Sequence, residues 1–219
     1  MAGLGMTLID GINEVVEVIG DFPMTGSSSP GATGTSVYSR AQRFIERETT
    51  RILSEGWPEN TVLAQTFALT TETLSLASET PAVLRVRGAG PDRHRHLVLR
   101  GTSVYDADQK SLKLTIREGD TDRTEVMLDV VVAADFADVS PQLQDVIIAK
   151  AKLAFQRRLQ GNPSVDQALQ QELWLTQQAL DRNEPNLDQA WNIQPEFRTV
   201  GRSSTNPQMQ ASQGEQQRQ

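Results

Sequence analysis

The chain has 219 residues, of which 37% are hydrophobic and 5% are aromatic, and its formal net charge is −7. This length accommodates one large or two small domains, and the negative charge argues against a general nucleic-acid binder or a binder of anionic membranes. The absence of cysteine excludes disulfides, thiolate nucleophiles and cysteine-ligated zinc or iron–sulfur sites.

The N-terminal segment MAGLGMTLIDGINEVVEVIG contains Asp10, Glu14 and Glu17 but no basic residue. We therefore expect no signal peptide. No apolar run approaches the ~20 residues that a membrane span requires. The lack of cysteine fits assembly in a reducing cytoplasm.

Two helices are predicted before residue 60. The apolar residues of the first recur at spacings of three and four, as on one face of a helix: Leu8, Ile12, Val15, Val16 and Ile19. Gly20 and Pro23 end this helix, and a loop, GSSSPGATG, follows. The second helix carries its apolar face on Val37, Ala41, Phe44, Ile45 and Ile52.

The second helix should stop at the sequence EGWP. Gly56 suits the left-handed position after a helix, Trp57 can fold back on the last turn, and Pro58 cannot continue the helix.

The periodicity changes over residues 61–136, where short segments rich in Val, Leu and Thr are separated by turn residues. The predicted strands are TVLAQTFALT, AVLRVRG, HLVLRG, SVYDAD, LKLTIRE and EVMLDVVVA. Several of them alternate apolar and polar residues, which is typical of a small antiparallel β domain.

A helical hairpin is predicted over residues 140–183. Ser140 is placed as the N-cap, with Pro141 at the first helical position. The two apolar stripes comprise Leu143, Val146, Ile147, Ala151, Ala154 and Phe155, then Val165, Leu169, Leu173, Thr176, Ala179 and Leu180. Gly161 ends the first helix, the spacing of Ser164 and Gln167 predicts a capping box for the second, and Pro185 ends it.

These patterns predict an α+β fold: a bundle of about four helices with an inserted, small, mostly antiparallel β domain and an extended C-terminal tail. The predicted boundaries are 1–60 for the N-terminal helices, 61–139 for the β insert, 140–185 for the helical hairpin and 186–219 for the tail. The tail sequence is rich in Gln, Ser and Asn and cannot build a core of its own.

The bundle core is predicted to comprise Ile12, Val16, Ile19, Phe44, Ile45, Ile147, Ala151, Phe155 and Leu169. Ile148, Leu153 and Trp174 lie off the main stripes and are candidates for a contact between subunits, with ordinary core positions as the alternative.

A search for catalytic or metal-binding residues yields few candidates. His94 and His96 lie in DRHRH, beside a Gly-Pro turn. One interpretation is a metal site, or a phosphate-binding site formed with Arg93 and Arg95. The alternative is a solvated turn that leads into a strand. Two histidines lack the third and fourth ligands that zinc requires. We predict no metal site and no cofactor.

Paired carboxylates are the other candidates for catalytic residues. They occur at Glu46 and Glu48, Asp106 and Asp108, and Asp120 and Asp122. A glycoside hydrolase needs two carboxylates about 5–10 Å apart across a sugar cleft, whereas these pairs lie on a helix surface or in turns. No nucleophile elbow, P-loop or dinucleotide-binding motif is present, so we predict no catalytic residue.

Four segments, in this order along the chain, carry a resemblance to a known family. They are NEVVEVIGDFPMTG, RILSEGWPENT, LRGTSVYDADQKS and DFADVSPQLQDVIIAKAKLAFQRRLQGNPSVDQALQQE. In these segments the chain resembles the tail tubular protein A family, the head-to-tail adaptors of short-tailed, podovirus-type bacteriophages.

The resemblance implies a structural virion protein that is assembled in the host cytoplasm. It implies a twelve-fold ring between the portal protein and a tail nozzle of the tail tubular protein B type, with tail fibres as further partners. DNA would pass through the lumen without specific binding. It also implies a C-terminal segment that docks into the portal, for which Trp191, Ile193 and Phe197 are the candidate anchors. The alternative is a tail that folds back on its own bundle.

The negative charge can be interpreted in two ways. It is compatible with ordinary solubility, and it is compatible with an anionic channel wall that repels DNA phosphates. The competing functions are a tail-associated hydrolase of cell-envelope polysaccharide and a protein that contacts DNA.

Overall fold

The computed structural model describes residues 5–26, 30, 34–114 and 124–183. These residues belong to one compact unit, Met1–Leu187. Within the described ranges the helices and longer strands follow in the order α1 (Leu8–Glu17), α2 (Val37–Leu53), β1 (Thr61–Ala68), β2 (Val83–Gly88), β3 (Leu97–Arg100), β4 (Ser103–Asp106), β5 (Glu125–Val132), α3 (Pro141–Leu159) and α4 (Pro163–Asn183).

The first helix begins with a capping box. The Thr7 side chain accepts a hydrogen bond from the Asp10 amide, and the Asp10 carboxylate accepts one from the Thr7 amide. Gly11 lets this helix approach α3 closely, because a Cβ atom at this position would lie 2.8 Å from Cδ1 of Ile148.

The end of α2 confirms the prediction made from EGWP. Gly56 has a φ of 88°, which glycine adopts without strain. The Trp57 indole folds back and donates a hydrogen bond from Nε1 to the carbonyl oxygen of Ile52, at 2.9 Å. This carbonyl also accepts a hydrogen bond from the Glu55 amide at 3.0 Å, so the indole adds a second bond at the end of the helix.

The strands form two antiparallel sheets. In the first, β5 lies between β1 and β2, and in the second β3 pairs with β4. A bulge interrupts the pairing of β1 with β5 between Val62 and Gln65, where Ala64 has a φ of 54°. The predicted strand at residues 112–118 is not formed at residues 112–114, and its remaining residues lie outside the described ranges.

Two hydrophobic clusters support these elements. The helical cluster combines buried residues of α1, α2, α3 and the C-terminal part of α4 with Phe136 and Val139. The β cluster contains Phe67, Leu76, Val104, Leu128 and further residues of the sheets and their loops. The α+β class is therefore confirmed, with four helices and small antiparallel sheets in the part of the chain that is described.

The start of α4 differs from the prediction. The helix begins at Pro163, and the Asn162 side chain accepts a hydrogen bond from the Ser164 amide at 3.0 Å. The predicted capping box of Ser164 and Gln167 is wrong, because the Asn-Pro pair already supplies a cap and a first helical residue. Ser140 precedes α3 as predicted, but its side chain makes no capping bond.

The chain enters and leaves the sheets beside one buried amide side chain. Asn60 Nδ2 donates hydrogen bonds to the Leu53 carbonyl at the end of α2, at 3.0 Å, and to the Val132 carbonyl at the end of β5, at 2.8 Å. Its Oδ1 accepts a bond from the Trp57 amide at 2.8 Å. Asn60 therefore fastens α2 to β5.

Candidate assembly surface

Helix α3 is the centre of the helical part, since it packs against α1, α2 and α4. Its buried side chains point in more than one direction and include Leu143, Val146, Ile147, Ile148, Ala149, Ala151, Leu153 and Phe155. A helix that is covered on several sides has little surface left for other molecules. The outer faces of α2 and α4 are therefore the helical surfaces to consider for assembly.

Lys152 on α3 connects three helices. Its ammonium lies 2.8 Å from Glu14 on α1 and 3.1 Å from Glu172 on α4. Partial burial lowers the pKa of Lys152, but the hydrogen bonds and charges of the two glutamates outweigh this effect and raise it above the ordinary 10.5.

Asp145 lies one helical heptad before Lys152 on α3. Partial burial and then the charge of Glu14 raise the pKa of Asp145 above the ordinary 3.8, although Lys152 acts in the opposite direction. Three carboxylates, one each on α1, α3 and α4, thus interact with a single lysine, and negative charge is in excess around it.

The outer face of α4 carries no charged side chain from Gln167 to Ala179, and the exposed Asp181 and Arg182 follow in the last turn of the helix. We define it as the exposed residues Gln167, Ala168, Gln170, Gln171, Trp174, Leu175, Gln177 and Ala179. Trp174 is 56% exposed and Leu175 is 51% exposed. Protein interfaces are depleted of charge at their centre and enriched in aromatic residues, and this α4 outer face has both properties.

The outer face of α2 has the opposite character. Its exposed residues are Arg40, Arg43, Glu46, Arg47, Thr50 and Arg51, which is a basic helix surface on an acidic chain. Buried Glu48 binds Arg47 at 3.1 Å and Arg51 at 3.7 Å.

A shallow hollow of about 500 Å³ lies on this α2 outer face. Its lining includes Arg43, Phe44, Glu46, Arg47 and Thr50. The Arg47 guanidinium lies over the Phe44 ring, 4.6 Å from its centroid, and Phe44 in turn contacts the ring of Phe155 edge-on. The hollow thus combines an aromatic ring with two cationic side chains and the Glu46 carboxylate, and the ring and the cations suit an incoming aromatic group.

The structure places the predicted core residues as follows. Ile12, Val16, Ile45, Ile147, Ala151 and Phe155 are buried in the helical cluster, and Ile19 and Phe44 are partly buried against it. Leu169 on α4 is also buried.

The three residues predicted as subunit contacts are separated by the fold. Ile148 is 2% exposed and packs inside the helical cluster, and Leu153 is also buried. Their side chains are covered within a single chain because α3 is surrounded by other helices, so neither offers a surface to a neighbour. Trp174 alone lies on an outer surface. Trp191, Ile193 and Phe197 lie outside the described residues.

The sequence DRHRH contributes an ion-pair network to the β part of the chain. Both histidines are exposed, whereas Arg95 lies between two buried carboxylates, 2.8 Å from Asp106 and 3.5 Å from Asp92. Burial raises the pKa of Asp106, but the hydrogen bond from Arg95 and those from the Gln109 and Asp108 amides lower it below 3.8 overall.

The paired carboxylates are engaged in contacts within the chain. Glu46 accepts a hydrogen bond from the Gln42 side chain, and the Asp108 carboxylate accepts one from the His96 amide. Asp120 and Asp122 lie outside the described residues. No group of three or more His, Asp or Glu side chains in the described ranges could hold a metal ion, and no helix there is long and apolar enough to cross a membrane.

Sequence reasoning missed the basic outer face of α2. Arg40, Arg43, Arg47 and Arg51 recur at spacings of three and four, which places them on one side of a helix. The arginine spacing predicts this basic face, although the net charge of the chain is negative.

Comparison with known proteins gives one result that matters for identity. The family model described as "Tube: Tail tubular protein" matches residues 9–190, which include all the helices and strands described above from the first turn of α1 to the end of α4. No match is found among curated proteins. Since the family model covers most of the chain, the protein belongs to the tail tubular protein family and is a structural component of a phage tail.

Proposed function

We propose that the chain is the head-to-tail adaptor of a short-tailed phage. In this role, copies of the chain form a ring, twelve-fold by the resemblance stated above, between the portal and the tail nozzle. The ring lines the channel through which DNA leaves the capsid, and the net charge of −7 keeps the phosphates from adhering to it. The chain has no catalytic role in this proposal.

The α4 outer face carries the proposal. A closed ring requires each copy to present a surface that a neighbour covers. The chain exposes Trp174 and Leu175 side by side in a helix surface that is otherwise made of Gln and Ala. Such a surface is unusual on a chain in which 22% of residues are charged, and contact with another subunit explains it.

We also propose a separate role for each part of the chain. Residues 1–60 and 140–185 form the helical bundle that builds the ring, residues 61–139 form the β insert, and residues 186–219 dock into the portal. The separate hydrophobic clusters of the helices and the sheets support the first two assignments. Trp191, Ile193 and Phe197 remain the proposed anchors of the third.

Electron microscopy and native mass measurement of the purified chain, alone and mixed with portal, test this proposal. We expect closed rings in at least one of these two conditions. A chain that remains monomeric in both conditions would refute the adaptor role. Trp174→Ala tests the α4 outer face directly. This variant should lower the fraction of assembled chain, and an unchanged helix content is the control for folding.

A further inference from the structure

We propose that the α2 outer face of one copy binds the α4 outer face of the next copy in the ring. This inference rests on the proposed adaptor function and specifies its subunit contact. The exposed indole of Trp174 from a second copy of this chain occupies the hollow on the α2 outer face.

The positions of α2 and α4 fit the geometry of a ring. A ring is built from heterologous contacts, in which one patch meets a different patch on the neighbour. Within a single chain, α3 packs against both α2 and α4, and each of these two helices keeps an outer face that is exposed. One chain therefore carries two different helix surfaces, one for each neighbour.

The two outer faces are chemically complementary. Trp174 is 56% exposed and lies in a stretch of the α4 surface, from Gln167 to Ala179, that has no exposed charged side chain. The hollow on α2 offers the Phe44 ring and the guanidinium groups of Arg43 and Arg47. Tryptophan is the side chain that binds cations best through its ring face, so the indole gains more in this hollow than an aliphatic side chain would.

The surroundings of the two outer faces also carry opposite charges. The α2 outer face has four arginines and one glutamate. The flank of α4 carries Glu172, and Glu14 and Asp145 lie around the same lysine. An arginine from a neighbour would balance the excess negative charge there, and the opposite signs would fix how the two helices face each other.

The absence of cysteine from the chain permits a direct test by disulfide cross-linking. Thr50→Cys places a thiol at the α2 hollow, and Leu175→Cys places one beside Trp174. We expect no disulfide-linked dimer from either variant alone and a dimer from their equimolar mixture. The chain that carries both substitutions should give a ladder of linked multimers after oxidation.

The outcomes separate this inference from the function on which it rests. Rings of the unmodified chain without any cross-link between positions 50 and 175 would overturn the contact and leave the adaptor role intact. Dimers from each single variant alone would show a symmetric contact and would also overturn it. An unmodified chain that never assembles, alone or with portal, would remove both proposals.

A charge variant gives an independent readout on the full chain. Arg40→Glu combined with Arg43→Glu keeps the partners of buried Glu48 in place and should reduce the assembled fraction at least tenfold. The control, Arg93→Glu combined with Lys110→Glu, makes the same change in net charge at exposed positions in the β part and should assemble normally. Equal loss in both variants would mean that total charge governs assembly, and it would overturn the contact.

Discussion

The rings of Phe44 and Phe155 meet edge-to-face, with 5.6 Å between their centroids and an angle of 84° between their planes. Phe44 faces the hollow on α2, whereas Phe155 on α3 is fully buried. This pair therefore connects the hollow on the α2 outer face to the interior of the bundle.

Phe155→Ala should lower the free energy of unfolding by about 3–5 kcal/mol, because it leaves a cavity at a position that neighbouring helices cannot fill. Urea denaturation followed by circular dichroism measures the change. Phe22→Ala is the matched control, since Phe22 is 82% exposed and its loss should change stability by less than ~0.5 kcal/mol. An unchanged midpoint for Phe155→Ala would contradict the described core.

Asn60→Ala should destabilise the chain by at least about 2 kcal/mol, because two carbonyls and one amide lose a buried partner together. Hydrogen exchange gives a local readout: the Trp57 amide, which donates to Asn60 Oδ1, should exchange faster than in the unmodified chain. Retained protection at Trp57 would show that this side chain does not fasten α2 to β5.

Asn162→Ala should cost about 1 kcal/mol, the usual effect of removing an N-cap side chain. Ser164→Ala should cost less than half as much, because Ser164 donates its amide to the cap and does not supply the cap itself. Thermal unfolding of the two variants compares the observed start of α4 with the one predicted from the capping-box spacing. A larger loss for Ser164→Ala would favour the capping box.

Asp145→Asn should raise the melting temperature at neutral pH. The folded chain raises the pKa of Asp145 above 3.8, so the ionised carboxylate costs stability at every pH above the folded pKa. This cost disappears when the pH falls below the unfolded value, where the carboxyl is neutral in both states. The two melting curves should therefore converge near pH 3, and a variant less stable than the parent at pH 7 would contradict the assignment.

Removal of residues 186–219 should leave the helix content and melting temperature almost unchanged and should abolish binding to the portal. Sedimentation with purified portal measures the binding. Replacement of Trp191, Ile193 and Phe197 together by Ala in the full chain should weaken binding in the same direction if these side chains are the anchors. Normal portal binding by the truncated chain would refute the docking role of the tail.

Much of the fold was predictable because strong local signals agree with the packing. Apolar spacing located α1 and α2, and the Gly-Trp-Pro sequence located the end of α2 together with the fold-back of Trp57. The start of α4 was misplaced because two capping signals lie two residues apart, and the sequence alone does not rank Asn162-Pro163 above Ser164.

The interface candidates show where periodicity stops being informative. Ile148 and Leu153 lie off the main stripe of α3, which suggested an outward direction. The helix is in fact covered by α1, α2 and α4, so positions off the stripe are interior as well. Trp174 also lies off the stripe of α4 and is exposed, because α4 packs mainly on one side, and its contact with a neighbour stays a prediction.

Asn60 joins the two connections by which the chain passes between its helices and its sheets. Both crossings are held at one amide group, so the joint resists bending at the place where a hinge would otherwise form. In the proposed adaptor role, a mechanical load on the strands would therefore pass to the helical bundle without bending at this joint.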